Sequence, residues 1–255
     1  MANGTETSAI LGGILACAIG FAAPLLAAPL PALDPAERAL WLAVGGINST
    51  SPEKSATCTG TLIAPDLVLT AAHCAGGTAK RTRQRHFILG KTQDAATIYR
   101  GSVQRDVHPA YPFAKGNTRF KYDVAVLRLD TPLPADLVTP LPLFQPDRQI
   151  SGPLALMGYN RGGKERLAGR FNCPVIPEDD HDVIVIDCEV VSGNSGGPVL
   201  AQVDGDWHLV GVIVGRIGSE NPTTLAVPVD DWITDHWEDA WERADARATK
   251  VAPGQ

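Results

Sequence analysis

Proline constrains this chain more than any other residue. Pro132, Pro134, Pro140, Pro142 and Pro146 crowd the stretch 131–146. A proline has no N–H for a sheet ladder, so this stretch cannot be an interior strand and reads as a linker. On either side lie short apolar runs bounded by turn residues. Before the linker come Cys58–Ala64, Leu67–Thr70, Phe87–Gly90, Ile98–Val103 and Val124–Leu129. After it come Leu154–Tyr159, Val183–Val191, Val199–Val203 and Trp207–Val214. With 25 glycines and 20 prolines, the composition favours a turn-rich β protein. Two groups of short strands joined by a proline bridge predict an all-β fold of two packed barrels, one over about 41–130 and one over about 150–230. Beyond them, Trp232–Arg247 carries spaced apolar residues among charges and predicts a C-terminal helix within 231–255, with a frayed tail. Trp232 and Trp237 are expected to anchor that helix on the second barrel.

The N-terminus bears on the compartment. No charged residue lies between Glu6 and Asp34, and the stretch Ala9–Leu33 is apolar. Small residues at Ala28 and Ala32 suit signal-peptidase cleavage, so residues 1–32 read as a secretory signal with cleavage near 28 or 32. A retained membrane anchor is the alternative, weakened by Pro24, Pro29 and Pro31. After cleavage no membrane association is expected, and the destination is secreted or periplasmic. Disulfides form there. Five cysteines are present: Cys17 lies in the apolar leader, and Cys58, Cys74, Cys173 and Cys188 allow three pairings. None forms a close Cys-x-x-Cys pair of the zinc-binding kind. The net charge is −6 and no basic stripe interleaved with aromatics appears, which argues against nucleic acid.

Three segments carry the chemistry. Leu69-Thr70-Ala71-Ala72-His73-Cys74 ends a strand on a histidine. Tyr122-Asp123-Val124-Ala125-Val126-Leu127 sets an acid just before a strand. Ser192-Gly193-Asn194-Ser195-Gly196-Gly197-Pro198 holds a serine among glycines. A serine hydroxyl is a weak nucleophile until a histidine takes its proton, and a carboxylate can fix that histidine's tautomer. Backbone N–H groups beside the serine can hold an oxyanion. In the order His, Asp, Ser, these segments resemble the chymotrypsin/trypsin-like serine peptidases, over roughly residues 41–235. The short second half and Asn194 resemble the compact bacterial branch more than animal digestive enzymes. Val107-His108-Pro109 also matches the family's approach to its acid.

The resemblance implies two packed six-stranded antiparallel barrels in a peptidase domain over 33–235. It implies a serine endopeptidase acting on protein or peptide substrates through an acyl-enzyme. His73 takes the place of the general base, Asp123 of the orienting acid and Ser195 of the nucleophile. The N–H groups of Gly193 and Ser195 are the oxyanion-hole candidates. A Cys58–Cys74 bridge follows from the resemblance, which leaves Cys173 and Cys188 for a second bridge or as free buried thiols. Glu189, Val214, Gly215 and Arg216 fall where the family builds its primary substrate pocket. An acid at Glu189 would favour Lys or Arg there, whereas Arg216 could neutralise it or select acidic residues. The plain alternative is an internally paired Glu189.

Asn194 departs from the animal enzymes, where an aspartate pairs with a new N-terminal amine. No activation cleavage motif is visible; Val44-Gly45-Gly46-Ile47 only echoes it. The chain is therefore expected to become competent on folding. No cofactor or metal is expected: Glu178–Asp182, with His181, and the basic run Lys80–His86 both read as solvated loops. A monomer is expected. A catalytically silent binding protein on the same fold, a quality-control peptidase and a short-ester hydrolase are the competing functions.

Overall fold

The computed structural model describes Met1 and residues 29–49, 56–78, 83–90, 98–161, 166–177, 182–219 and 221–251. Most of the expected leader, with Cys17, lies outside the described residues. So do Lys80–Thr82 of the basic run, Glu178–His181 of the acidic cluster and the tail after Val251.

A short helix that the sequence reading lacked comes first. Helix α1 (Pro35–Leu40) starts on a capping box: the Asp34 carboxylate accepts from the Glu37 N–H, and Glu37 accepts in return from Asp34. Six strands follow: β1 (Val44–Asn48), β2 (Cys58–Ala64), β3 (Leu67–Thr70), β4 (His86–Leu89), β5 (Ile98–Val107) and β6 (Ala125–Leu129). They pair antiparallel in the order β1-β2-β3-β6-β5-β4 and close into a barrel. Registers such as Gly46↔Thr59 and Leu69↔Val126 turn alternate side chains inward. Strand β2 is buried along its whole length, because other elements cover its outer face.

The proline stretch 131–146 forms no strand, as expected; Leu143 makes only an isolated bridge to Leu209. Beyond it lie β7 (Ser151–Tyr159), β8 (Leu167–Cys173), β9 (Val175–Ile176), β10 (Ile184–Ile186), β11 (Pro198–Val203), β12 (Asp206–Ile217) and β13 (Thr223–Pro228). Their order is β8-β7-β11-β12-β13-β10-β9, a seven-stranded curled sheet where six strands in a closed barrel were expected. The physical reason is Pro174. It interrupts one chain segment into β8 and β9, and these two pieces hold opposite ends of the sheet. One bent strand therefore spans both edges, and the sheet curls like a barrel without a continuous ladder. The Cys173–Cys188 disulfide staples the corner, and Asp187 N–H donates to the Pro174 carbonyl at 2.9 Å. The other bridge is Cys58–Cys74. Each closes a loop of similar length (separations 15 and 16), a constraint of about 3 kcal/mol in the chain-entropy account.

The chain closes on α2 (Asp231–Val251). It packs on the first barrel, not on the second as expected. The Trp237 indole N–H donates to the Ile63 carbonyl of β2 at 3.0 Å. Arg247 and Arg243 reach the buried Asp66 carboxylate at 2.9 and 3.5 Å. An acid buried in the Pro65-Asp66 turn needs such partners, and the charged face of α2 supplies them. The first barrel thus takes its final cover from the end of the chain. No helix among the described residues is long and apolar enough to cross a membrane.

Candidate active site

His73 stands at the mouth of the first barrel. Ala71 and Ala72 are fully buried, and their small side chains let the chain turn inward directly after β3. Cys74 and Ala75 both donate backbone hydrogen bonds to the Ala71 carbonyl, which closes a tight turn around His73. That turn is tied to β2 by the Cys58–Cys74 bridge.

Asp123 follows a 3-10 helix of seven residues, Gly116–Tyr122, that the sequence does not signal. Its carboxylate is 8% exposed and takes two bonds from one residue. Oδ2 lies 2.6 Å from His73 Nδ1, and Oδ1 accepts the His73 backbone N–H at 2.9 Å. An ionised carboxylate only accepts, so Nδ1 donates and Nε2 is left as a lone-pair acceptor. The second bond fixes the carboxylate's rotation, and with it the plane of the ring.

The serine turn hangs from both halves of the molecule. Gly196 N–H donates to Ile213 O at 2.6 Å, Gly197 N–H to Asn194 O at 2.9 Å and Asn194 N–H to Val191 O at 3.0 Å. The N–H groups of Gly193 and Ser195 have no hydrogen-bond partner among the described residues. These are the two amides expected to form the oxyanion hole. Ser195 is brought against the residue that follows His73: its carbonyl lies 3.5 Å from Cys74 Sγ and accepts the Thr59 N–H at 2.8 Å. No hydrogen bond joins Ser195 Oγ to the imidazole in this state; such contacts often tighten only when substrate arrives.

Two glycines here are dictated by geometry. Gly193 (φ 105°) and Gly196 (φ 82°) both lie in the left-handed region. A Cβ on Gly193 would stand 2.3 Å from Tyr159 O, and one on Gly196 would stand 2.2 Å from Thr59 O. Both obstacles are backbone and cannot swing aside. Gly196→Ala is therefore expected to cost more than about 2 kcal/mol in stability; urea unfolding monitored by tryptophan fluorescence checks it.

Thr59 is the residue that sequence reasoning missed. It sits in β2, yet its Oγ1 donates to the Gly193 carbonyl at 2.7 Å and accepts the Tyr159 N–H at 2.9 Å. Its own carbonyl accepts from Thr70 Oγ1 at 2.7 Å. Nothing in Cys58-Thr59-Gly60 marks this role, because a threonine in a strand is ordinary. Its contacts with Tyr159 and Gly193 lie 100 and 134 residues away in sequence.

Glu189 and Arg216 come together at 3.0 Å, so the acid is paired internally. The Glu189 side chain is 13% exposed and Arg216 is 52% exposed, which makes the guanidinium a lid over the carboxylate. Val214 is buried, and the Phe120 ring lies against Gly215, about 3.2 Å from where a Cβ would stand. His73 also neighbours both sulfurs of Cys58 and Cys74, but their disulfide withholds them from metal binding.

Behind Asp123, the His108 ring stacks on Tyr122 at 5.1 Å and meets Trp232 edge-on at 5.3 Å. Its Nδ1 accepts the Ala110 N–H, so Nε2 carries the proton and faces Asp230 at 3.8 Å. Burial pushes its pKa below the ordinary imidazole value, against the weaker pull of Asp230. The unfolded chain then binds the proton more readily, and stability falls as pH drops through about 6.5, the unfolded value. His108→Gln should flatten that acid limb of a Tm-versus-pH curve; an unchanged slope between pH 7.5 and 5 would count against this account.

Comparison with known proteins follows the same geometry. A family profile described as "Trypsin-like peptidase domain" matches residues 58–212, which span Cys58, His73, Asp123 and Ser195. The chain is also similar to "Serine protease 23" of Bos taurus, 30% identical over 182 residues, covering 61% of this chain and 46% of that protein. The Mus musculus and Homo sapiens proteins of the same name are 29% and 28% identical over 177 residues, covering 61% of this chain and 46% and 45% of theirs. The chain thus spans somewhat less than half the length of these curated relatives. With a closed β-barrel, a curled second sheet and a serine turn between them, the chain belongs to the trypsin-like serine peptidase family.

Proposed function

We propose that the protein is a secreted serine endopeptidase in which His73, Asp123 and Ser195 form a working triad. The observation that carries this reading is the double hydrogen bond from His73 to one buried Asp123 carboxylate, beside a serine turn with two unengaged amides. Ser195 Oγ attacks the scissile carbonyl carbon while His73 Nε2 takes the hydroxyl proton. The oxyanion that forms is held by the N–H groups of Gly193 and Ser195. The imidazolium, stabilised by Asp123, returns the proton to the leaving amine and an acyl-enzyme remains. Water then attacks the ester by the same route. No cofactor or metal enters these steps. Disulfides in both halves suit a secreted or periplasmic protein, acting as a monomer of the compact type after loss of its leader.

The pairing of Glu189 with Arg216 bears on substrate choice. A neutralised acid cannot draw a Lys or Arg side chain into the pocket, and Phe120 against Gly215 adds an apolar wall. Cleavage of a peptide library should therefore show no preference for basic residues. Arg216→Ala unmasks Glu189 and should raise kcat/KM for Lys or Arg substrates tenfold or more. Unchanged profiles would remove Glu189 from the pocket.

The competing reading is a silent binding protein, favoured only by the missing Oγ–imidazole bond. A fluorophosphonate probe separates the two. An enzyme reacts at Ser195 and its Ser195→Ala variant does not; a binding protein with a collapsed site leaves both unlabelled.

A further inference from the structure

Residues 29–33, which run across the expected end of the leader at 32, pair with the edge of the second sheet. Leu30 is 2% exposed and packs in the core cluster that holds Leu156, Ile186, Val190, Val199 and Ile213. The backbone pairs along β8, the end strand of the sheet. Gly169 N–H donates to Pro31 O at 2.9 Å, Leu33 N–H donates to Leu167 O at 3.0 Å, and Ala32 bridges Ala168 antiparallel. Segments destined only for removal have no need of a buried side chain and two backbone hydrogen bonds to the sheet.

The same segment reaches the serine turn through one side chain. Asn194 is completely buried, and its amide has three partners. Oδ1 accepts the Val191 N–H at 2.8 Å, and Nδ2 donates to Tyr159 O at 3.2 Å and to Asn160 Oδ1 at 2.9 Å. Asn160 in turn donates from Nδ2 to the Leu30 carbonyl at 3.2 Å. That last bond holds the NH2 end of the Asn160 amide while its oxygen accepts from Asn194. The Asn194 NH2 selects the same flip, since an NH2 turned toward it would be donor against donor; the Leu30 carbonyl then fixes where the amide sits. Asn194 lies between Gly193 and Ser195, so its placement aims both unengaged amides.

We propose that the segment Pro29–Leu33 is a fixed strut of the serine turn and that Asn160 is the positioning residue that transmits its place to Asn194. The proposal rests on the triad reading for its effect on rate, but not for its effect on the loop. It also bears on processing: a cut after Ala28 keeps the strut, whereas a cut after Ala32 discards Leu30 and leaves a poorly competent peptidase. Chain maturation then acts through neutral amide contacts, with no charged pair.

The test uses the full-length chain and its Leu30→Ala, Asn160→Ala and double variants. Asn160→Ala leaves the Leu30 packing in place, so it guards against a folding failure of the other. Each single variant should lower kcat tenfold or more with KM little changed. The double variant should be no worse than the poorer single one, because both act through one relay. Independent losses that multiply would overturn the strut. Amide hydrogen exchange, which needs no activity, should show protection of Asn194 and Gly197 falling at least tenfold in each variant. Unchanged protection would overturn the proposal whatever the kinetics. Loss of protection in a protein that never reacts with fluorophosphonate would uphold the strut while sinking the triad reading. N-terminal sequencing of the fluorophosphonate-labelled species should give a first residue at or before Leu30; fully active enzyme that begins at Leu33 would also overturn it.

Discussion

Ser195→Ala should lower kcat on a peptide substrate by about 10⁶, and His73→Ala by about the same factor. The two act as a unit, so the double variant should be no slower than either. Removing the hydroxyl leaves nothing to carry the acyl group; removing the imidazole leaves a hydroxyl that keeps its proton. A residual rate well above water is still expected, since the Gly193 and Ser195 amides do not depend on either side chain. Steady-state turnover with a chromogenic peptide measures the losses. Thermal unfolding of the same variants should move little, because His73 is partly exposed and Ser195 makes its ties through its backbone. A Ser195→Ala variant within a hundredfold of the parent would mean that some other group is the nucleophile.

Asp123→Asn should cost about 10⁴ in kcat. The carboxylate now receives two N–H groups from His73, one from the ring and one from the backbone. An amide has one oxygen and one NH2. If its oxygen faces the backbone N–H, the NH2 points at Nδ1 and forces the ring to accept there. The proton then sits on Nε2, where a base is needed. If the amide flips, the backbone N–H of His73 meets an NH2 and loses its partner beside a side chain that is only 8% exposed. Both arrangements fail, for different reasons. Burst kinetics with an activated ester would show slow acylation in the variant. A loss below tenfold would mean that the His73 tautomer is set elsewhere.

Much of this arrangement is legible in the sequence because it rests on local rules. The proline run between the barrels, the alanines that lead into His73 and the glycines around Ser195 each obey a steric demand of the backbone. The pairing of Cys58 with Cys74 follows from family resemblance, and the structure forms it. What could not be read depends on distant partners. Thr59 joins the serine turn across more than a hundred residues, and a strand threonine carries no mark of that. The helix Gly116–Tyr122 lacks an apolar period, being set by its contacts with Asp123 and Gly215. Tryptophans advertise burial but not against what, so Trp232 and Trp237 do not reveal where α2 sits. The acid that decides the matter, Asp66, lies 181 residues before Arg247. Pro174 was visible as a proline; that it would break one strand between two sheet edges was not.

The contacts of Thr59 have a wider implication. One residue of the first barrel holds the Gly193 carbonyl, the Ser195 carbonyl and the Tyr159 amide of the second. Neither half of the chain therefore owns a finished reaction centre. If the nascent first half folds and forms its own disulfide, it presents a histidine and an acid with nothing to activate. On the proposed triad, chemistry would begin only when the second half docks and its serine turn is gripped from across the seam. Assembly would then act as a latch: a chain whose second half has not docked would have no finished site with which to cut its neighbours. Separately expressed halves, divided in the proline stretch, would by the same logic be inert alone and gain activity on mixing.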